Sequence, residues 1–185
     1  MVGYGQGRRE VVLYELMSLD GFADDPGEGE WFGDADERLV DFLGQTIATQ
    51  DTVLLGRTTY EKWAPYWPTS TMQPFADFIN GVDKRVFSSS PLTLPWPHAS
   101  HVDEPLIPFV TALKAGPGSD IGVHGSLSIA QALLAAELVD QLRLVVAPSL
   151  AGGGKALFAG ATGLQRFSLA SAERSGGCLL LHYRR

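Results

Sequence analysis

Short apolar runs, separated by segments with helical periodicity, constrain the fold of this chain more than any other feature. Five short segments contain apolar residues at their centre and are interpreted as strands: residues 11–17, 52–55, 85–87, 120–124 and 142–147. Such runs are typical of strands that are buried on both faces of a parallel sheet. Between these runs, apolar side chains recur at helical spacing, as in residues 39–47 and 129–136. The alternation predicts an α/β fold, with a mostly parallel sheet and helices on both faces.

The C-terminal part of the chain has a different pattern. Residues 167–172 and 178–183 both resemble strands, and Ser175-Gly176-Gly177 between them is typical of a hairpin turn. We therefore expect antiparallel strands at the C-terminal end of the sheet. A chain of 185 residues suits one domain. We predict a flexible leader at residues 1–9, followed by a single domain at residues 10–185.

Composition excludes several functional classes. The chain has 14 Lys and Arg against 21 Asp and Glu, a net charge of −7, whereas nucleic-acid binding needs a basic surface. No apolar run approaches the roughly 20 residues of a membrane helix. The single cysteine, Cys178, excludes an internal disulfide and a cysteine-based zinc site, and the histidines have no metal-ligand spacing. We expect a cytoplasmic protein without a metal, whose partner is a small molecule.

Three predicted strand ends share features that suit a phosphate. They are Gly56-Arg57-Thr58-Thr59, Ser88-Ser89-Ser90 and Gly125-Ser126-Leu127-Ser128. Glycine permits close approach of the backbone, a helix N-terminus offers free N–H groups, and arginine offers a fork of donors. Each turn alone is more often a simple connection, but three in this order favour a nucleotide site. The loop Gly152-Gly153-Gly154-Lys155 lacks the full P-loop pattern and is interpreted first as a tight connection.

The same segments resemble a known superfamily. Residues 53–61, Val-Leu-Leu-Gly-Arg-Thr-Thr-Tyr-Glu, resemble the strand-and-phosphate motif of dihydrofolate reductases, and residues 84–89 resemble the next strand and serine pair of that family. Ser18-Leu19-Asp20-Gly21 and residues 138–158 are similar to the reductase domain of the bacterial riboflavin pathway, the RibD C-terminal domain. The resemblance covers about residues 10–184, and it implies the three-layer dihydrofolate reductase-like fold.

The resemblance also implies an activity and a cofactor. Members of the superfamily bind NADPH and transfer hydride to a pterin or an aminopyrimidine, as 5-amino-6-(5-phosphoribosylamino)uracil reductase does. By this likeness, Arg57 and Ser88 or Ser89 would face the adenosine 2′-phosphate. Gly56, Thr58, Thr59 and the turn of Gly125, Ser126 and Leu127 would hold the pyrophosphate.

Two departures from the family pattern leave other functions open. The helix position that carries an acid in dihydrofolate reductases falls near Val40, and neighbouring Asp36 suits a helix cap better than acid catalysis. His124 stands where riboflavin-pathway reductases usually carry a glutamate. The alternatives are a non-catalytic NADPH-binding or sensing module and a flavin- or quinone-directed reductase.

Several side chains have both a functional and a structural interpretation. Asp20 is the candidate catalytic group, but it also suits a turn before Gly21. Trp31 and Trp63 are candidate walls of a substrate pocket, or they pack beneath a loop. For His124, a polar strand residue satisfied by backbone is the favoured interpretation over a proton-transfer group. Because proteins with this fold often pair through the end of the sheet, we also expect a homodimer.

Overall fold

The computed structural model of the protein describes residues 8–24, 31–33, 36–160 and 163–185. The described residues form eight strands, five α-helices and one short 3-10 turn at Trp67–Thr69. The strands are β1 Val11–Ser18, β2 Gln50–Gly56, β3 Asp83–Phe87, β4 Ala99–Val102, β5 Asp120–His124, β6 Gln141–Ala147, β7 Ser168–Ser175 and β8 Cys178–Arg184. The helices are α1 Glu37–Ile47, α2 Arg57–Trp63, α3 Phe75–Gly81, α4 Leu106–Ala115 and α5 Leu127–Ala135.

The eight strands form one mixed sheet in the order β4-β3-β2-β5-β1-β6-β8-β7. The first six strands in this order are parallel, whereas β8 pairs antiparallel with both β6 and β7. This arrangement confirms the predicted mixed sheet with antiparallel C-terminal strands. Because β1 to β6 run in one direction, their carboxyl ends meet at one edge of the sheet.

Helices cover both faces of the sheet, and successive side chains of each strand alternate between the two. In β2, Leu54 packs into the cluster beneath α4 and α5, while Val53 and Leu55 pack into the cluster beneath α2 and α3. The helix α1 covers a third cluster, which includes Tyr14 and Leu180. The result is the predicted three-layer arrangement.

The predicted cap of the first helix is confirmed at Asp36. Its carboxylate accepts a hydrogen bond of 3.1 Å from the Leu39 backbone N–H at the start of α1. The Ser175 hydroxyl also donates to Asp36. The cap therefore links α1 to the β7–β8 hairpin, so Asp36 has a structural role. The hydrogen bonds from Ser175 and Leu39 hold the pKa of the Asp36 carboxyl below its usual range.

The leader prediction needs a correction at its boundary. Arg9 was placed in the leader, yet it is only 5% exposed. Its guanidinium pairs with Asp51 and donates to the Thr52 hydroxyl at 2.8 Å and the Ser119 carbonyl at 2.7 Å. Arg9 therefore belongs to the packed domain, because a buried guanidinium needs these partners. Residues 1–7 lie outside the described residues.

Two further features bear on the expected surroundings of the protein. Within the described residues, no helix combines the length and apolar character needed to cross a membrane. At the end of the sheet, Leu169 of β7 and Leu179 of β8 are about half exposed. The homodimer expected at this end of the sheet stays a prediction.

Candidate functional site

The candidate site lies along the edge where β3, β2, β5, β1 and β6 end, which we call the carboxyl edge. Ligands of open α/β sheets bind outside the carboxyl ends of the strands. The three turns predicted to hold phosphates follow β2, β3 and β5, and these strands are neighbours in the sheet. The structure therefore brings together groups that are up to 70 residues apart in the chain.

At the first turn, Arg57 opens α2 and reaches across to the turn after β3. Its Nη1 donates to the hydroxyl of Ser88 at 2.9 Å and to the hydroxyl of Ser90 at 2.8 Å, while its Nε donates to the Glu61 carboxylate at 2.7 Å. Ser89 is exposed beside this group. Ser90, the last serine of the predicted run, supplies the second hydroxyl that accepts from Arg57.

The first and third turns are joined by a hydroxyl network. The buried Ser126 hydroxyl accepts a hydrogen bond from the Gly56 N–H at 3.1 Å and donates to the Thr59 hydroxyl at 2.8 Å. Thr59 in turn donates to the Gly125 carbonyl at 3.2 Å. Thr58 is exposed at the start of α2, and Leu127 begins α5. The helices α2 and α5 thus begin side by side on this network.

Gly125 is a glycine for two physical reasons. Its φ of +61° lies in the left-handed region, which side chains other than glycine rarely adopt. A Cβ at this position would also lie 2.8 Å from Cζ2 of Trp63. Trp63 itself packs edge-on against Trp67 and Phe75. Trp63 therefore lies against the third turn while its ring belongs to the aromatic packing beneath α3.

Asp20 lies at the end of β1, where it holds a second loop. Its carboxylate accepts from the backbone N–H groups of Ala151 at 3.1 Å and Gly152 at 2.8 Å, and from the Ser18 hydroxyl. These hydrogen bonds, led by the one from Ser18, lower the pKa of Asp20 to about 2. Asp20 is therefore ionised near neutral pH, which suits holding the 149–155 loop and does not suit donating a proton.

The predicted pocket residue Trp31 lies over the same loop. The Ser149 hydroxyl donates to the Trp31 carbonyl at 2.7 Å. The Trp31 ring is edge-on to Phe22 and to Phe32, with ring centroids 5.4 Å and 5.7 Å away. Trp31 and Trp63 thus lie over different parts of the carboxyl edge, one beside the end of β1 and the other beside Gly125.

For His124, the interpretation that favoured a backbone partner is wrong. Its Nε2 is 2.7 Å from the side-chain Oε1 of Gln50, whose own amide donates to the Thr46 carbonyl at 3.0 Å. The imidazole is 2% exposed, its Nδ1 has no hydrogen-bond partner within the described part of the chain, and burial lowers its pKa to about 3. His124 is therefore a neutral group among aromatic rings, of which Tyr14 and Phe75 are the closest.

The sequence interpretation missed Glu15, which lies near the end of β1. This residue is 7% exposed, and its Oε2 is buried with no hydrogen-bond partner in residues 8–24, 31–33, 36–160 and 163–185. Burial raises its pKa to about 8 even though the backbone of Leu16 and Gly125 hydrogen-bonds to the carboxyl group. The signal was present in the sequence, because Glu15 is the one charged residue within the apolar run of residues 11–17.

Comparison with known proteins defines the class first. The fold is that of the dihydrofolate reductases and of the reductases that share their architecture. A solved dihydrofolate reductase from Enterococcus faecalis, complexed with NADP(H), superimposes on this chain with a TM-score of 0.63 at 13% identity. The superposition covers 96% of this chain and 97% of that one. Within that class, the model of the RibD C-terminal domain family matches residues 9–181. The chain belongs to this family.

Two relatives from Bacillus subtilis are similar over most of their length. The protein YyaP is 31% identical over 157 residues, which cover 82% of this chain and 81% of the relative. The protein YwjB is 30% identical over 180 residues, which cover 95% and 97%. Both are described as uncharacterized, so they support the family and add no activity.

Two further solved structures share the fold. A putative riboflavin biosynthesis protein from Shewanella sp. PV-4 superimposes with a TM-score of 0.73 at 20% identity, covering 95% of this chain and 98% of that one. The Thermotoga maritima diaminohydroxyphosphoribosylaminopyrimidine deaminase/5-amino-6-(5-phosphoribosylamino)uracil reductase superimposes with a TM-score of 0.69 at 19% identity, covering 96% of this chain and 56% of that one. At these identities the likeness concerns the fold.

Proposed function

We propose that the protein is an NADPH-dependent reductase that transfers hydride to a flat nitrogen heterocycle of pterin or aminopyrimidine type. The observation that carries the proposal is the joined set of phosphate turns at the carboxyl edge, where Arg57 meets Ser88 and where Gly56 meets Ser126. Membership of a riboflavin-pathway-like reductase family supports the reaction class.

The residues present fit the phosphates of NADPH. Arg57 lies about one-third exposed with hydroxyl groups beside it, so a 2′-phosphate reaching this point would meet a cation and several donors. The backbone N–H groups at the start of α5 would face the pyrophosphate. Gly125 is exposed at that turn, which leaves its backbone accessible to a ligand.

The remaining residues of the edge would position the reacting rings. When bound, the cofactor supplies the hydride, and the protein supplies orientation and exclusion of water. Asp20 holds the 149–155 loop against the end of β1, and Trp31 lies over that loop. We propose a positioning role for Asp20 and wall positions for Trp31 and Trp63, whose rings suit a flat heterocycle.

Binding of NADPH and NADH to the Arg57→Ala variant tests the proposal. We expect NADPH to bind 10- to 100-fold more weakly, the effect of removing a charge-assisted contact of about 1.5–3 kcal/mol. NADH, which lacks the 2′-phosphate, should change by less than threefold. The Arg184→Ala variant is a matched control, because Arg184 pairs with Glu10 at the opposite edge of the sheet.

Equal loss of both nucleotides in the Arg57→Ala variant, or no binding of either by the native protein, would contradict the cofactor assignment. A measurement of turnover then distinguishes a reductase from the alternative, a sensing module. NADPH oxidation with a pterin or an aminopyrimidine supports the reductase. Binding with no turnover across pterin, pyrimidine, flavin and quinone compounds would instead support a sensing module, which the neutral buried His124 favours.

A further inference from the structure

Glu15 is a buried acid that the proposed phosphate site does not use. It alternates with Tyr14 along β1 and so faces the same side of the sheet as Leu13, the side that α5 covers. Its carboxyl group reaches the backbone of Gly125, which precedes α5. One of its oxygens has no partner among the described residues. A polar atom that is buried without a partner is costly, so its presence in a native structure needs an explanation.

The order of the strands indicates which part of a dinucleotide meets Glu15. The 2′-phosphate group is assigned to the turns after β3 and β2, and the pyrophosphate to the turns after β2 and β5. The next strand in the sheet is β1. Because neighbouring strands are about 4.8 Å apart, a cofactor laid across the edge in this direction places its nicotinamide end at β1.

We propose that Glu15 binds the nicotinamide carboxamide of NADPH through its unpartnered oxygen, and that it must carry its proton when the cofactor binds. The inference rests on the proposed NADPH site. An ionised carboxylate at this position would face the negative pyrophosphate at the start of α5 with little water to screen it. The neutral acid has no such repulsion, and its O–H donates to the carboxamide oxygen.

The charged groups around Glu15 are consistent with a neutral acid. Asp24, in the loop after β1, adds a negative charge that favours the protonated form and pairs with Lys155 of the 149–155 loop at 3.1 Å. Tyr14, the neighbour on β1, has a raised pKa and stays neutral. The helix α5 carries no charged side chain, and His124 on β5 is neutral and faces the other side.

Two variants of Glu15 and two ligands test this inference. Glu15→Gln keeps the size and the hydrogen-bonding capacity but has no titrating proton, whereas Glu15→Leu removes both. The ligands are NADPH and 2′-phospho-ADP-ribose, which has the same phosphates and no nicotinamide. Dissociation constants come from quenching of tryptophan fluorescence between pH 6.5 and 9.5, at constant ionic strength.

For the native protein, NADPH affinity should be constant below pH 8 and fall towards tenfold per pH unit above it, the slope for one required proton. Glu15→Gln should bind NADPH within threefold of the native protein at pH 7 and show no such slope. Glu15→Leu should bind NADPH at least tenfold more weakly at pH 7, while 2′-phospho-ADP-ribose changes by less than threefold.

The outcomes distinguish this inference from the proposed function. If the native protein binds both ligands, an alkaline slope that persists in Glu15→Gln overturns the role of the proton. Equal weakening of both ligands by Glu15→Leu overturns the contact with nicotinamide. If the native protein binds neither ligand, the proposed NADPH site fails, and the inference fails with it.

Discussion

The carboxyl edge has two halves that differ in how their polar groups are satisfied. In the half formed by the turns after β3, β2 and β5, the side chains of Arg57, Ser88 and Ser126 all have hydrogen-bond partners within the protein. In the half around β1, two buried atoms have no partner among the residues that the structure describes: Oε2 of Glu15, and Nδ1 of His124, whose ring lies at the end of β5 with its centroid 5.7 Å from that of Tyr14 on β1. The polar side chains of the first half are paired with one another, whereas the second half retains unpaired hydrogen-bonding groups among the described residues.

From this difference we expect the two halves to have different functions. A preformed phosphate site binds the common part of a nucleotide with little loss of side-chain freedom, because its groups are already ordered. Buried groups without a partner instead favour a ligand that supplies the missing hydrogen bond. They discriminate against ligands that cannot form this bond. We therefore expect cofactor recognition to depend on the first half, and discrimination at the reacting rings on the second.

The largest expected change in the free energy of unfolding comes from substituting a glycine in each half. Gly125→Ala places a Cβ 2.8 Å from the Trp63 ring at a φ of +61°, whereas Gly21→Ala has a φ of +82° and open space around the new Cβ. The first change should lower the free energy of unfolding by about 2–4 kcal/mol, because backbone strain and overpacking add. The second should cost about 1–2 kcal/mol. Urea unfolding of both variants measures the difference, and equal losses would contradict the tight packing assigned to the third turn.

A smaller effect is expected from the titration of His124 in the second half. The folded protein keeps this residue neutral down to about pH 3, whereas the unfolded chain protonates it near pH 6.5. The unfolded state therefore gains the proton first as the pH falls. The stabilisation is complete above pH 6.5 and is lost below it, by at most about 1.4 kcal/mol per pH unit.

Denaturant unfolding between pH 5 and 6.5 checks this expectation. His124→Phe should reduce this slope by up to about 1.4 kcal/mol per pH unit relative to the native protein, because phenylalanine does not titrate and suits the aromatic surroundings. His98→Phe is the control, since the His98 side chain is exposed. A slope that is the same in His124→Phe and the native protein would show that the imidazole is not held neutral by burial.

The two halves also differ in how far the sequence predicts them. The first half, where we propose that phosphates bind, is formed by contiguous motifs such as Gly56-Arg57-Thr58-Thr59 that follow apolar runs, and the sheet brings these turns together. The strand and helix pattern likewise predicts the alternation, the antiparallel C-terminal strands and the cap at Asp36. Local sequence carries these features, because propensity and periodicity act over a few residues.

The second half depends on contacts between distant residues, which one sequence does not reveal. Gln50 and His124 are 74 positions apart, so the favoured backbone partner for the imidazole was wrong. Glu15 was treated as part of a buried strand, and only the Gly125 backbone and the unpartnered oxygen show its importance. Asp20 was proposed as catalytic from its position, but its hydrogen bonds to residues 151 and 152 indicate a positioning role.

A crystal structure of the protein with bound NADPH tests the central claim most directly. We expect the 2′-phosphate within hydrogen-bond distance of Arg57 and Ser88, the pyrophosphate at the start of α5, and the nicotinamide carboxamide beside Glu15. A cofactor bound elsewhere, for instance in the cleft lined by Thr111 and Lys114, would contradict the assignment of the carboxyl edge. A cofactor bound in the reverse direction along the edge would equally contradict it.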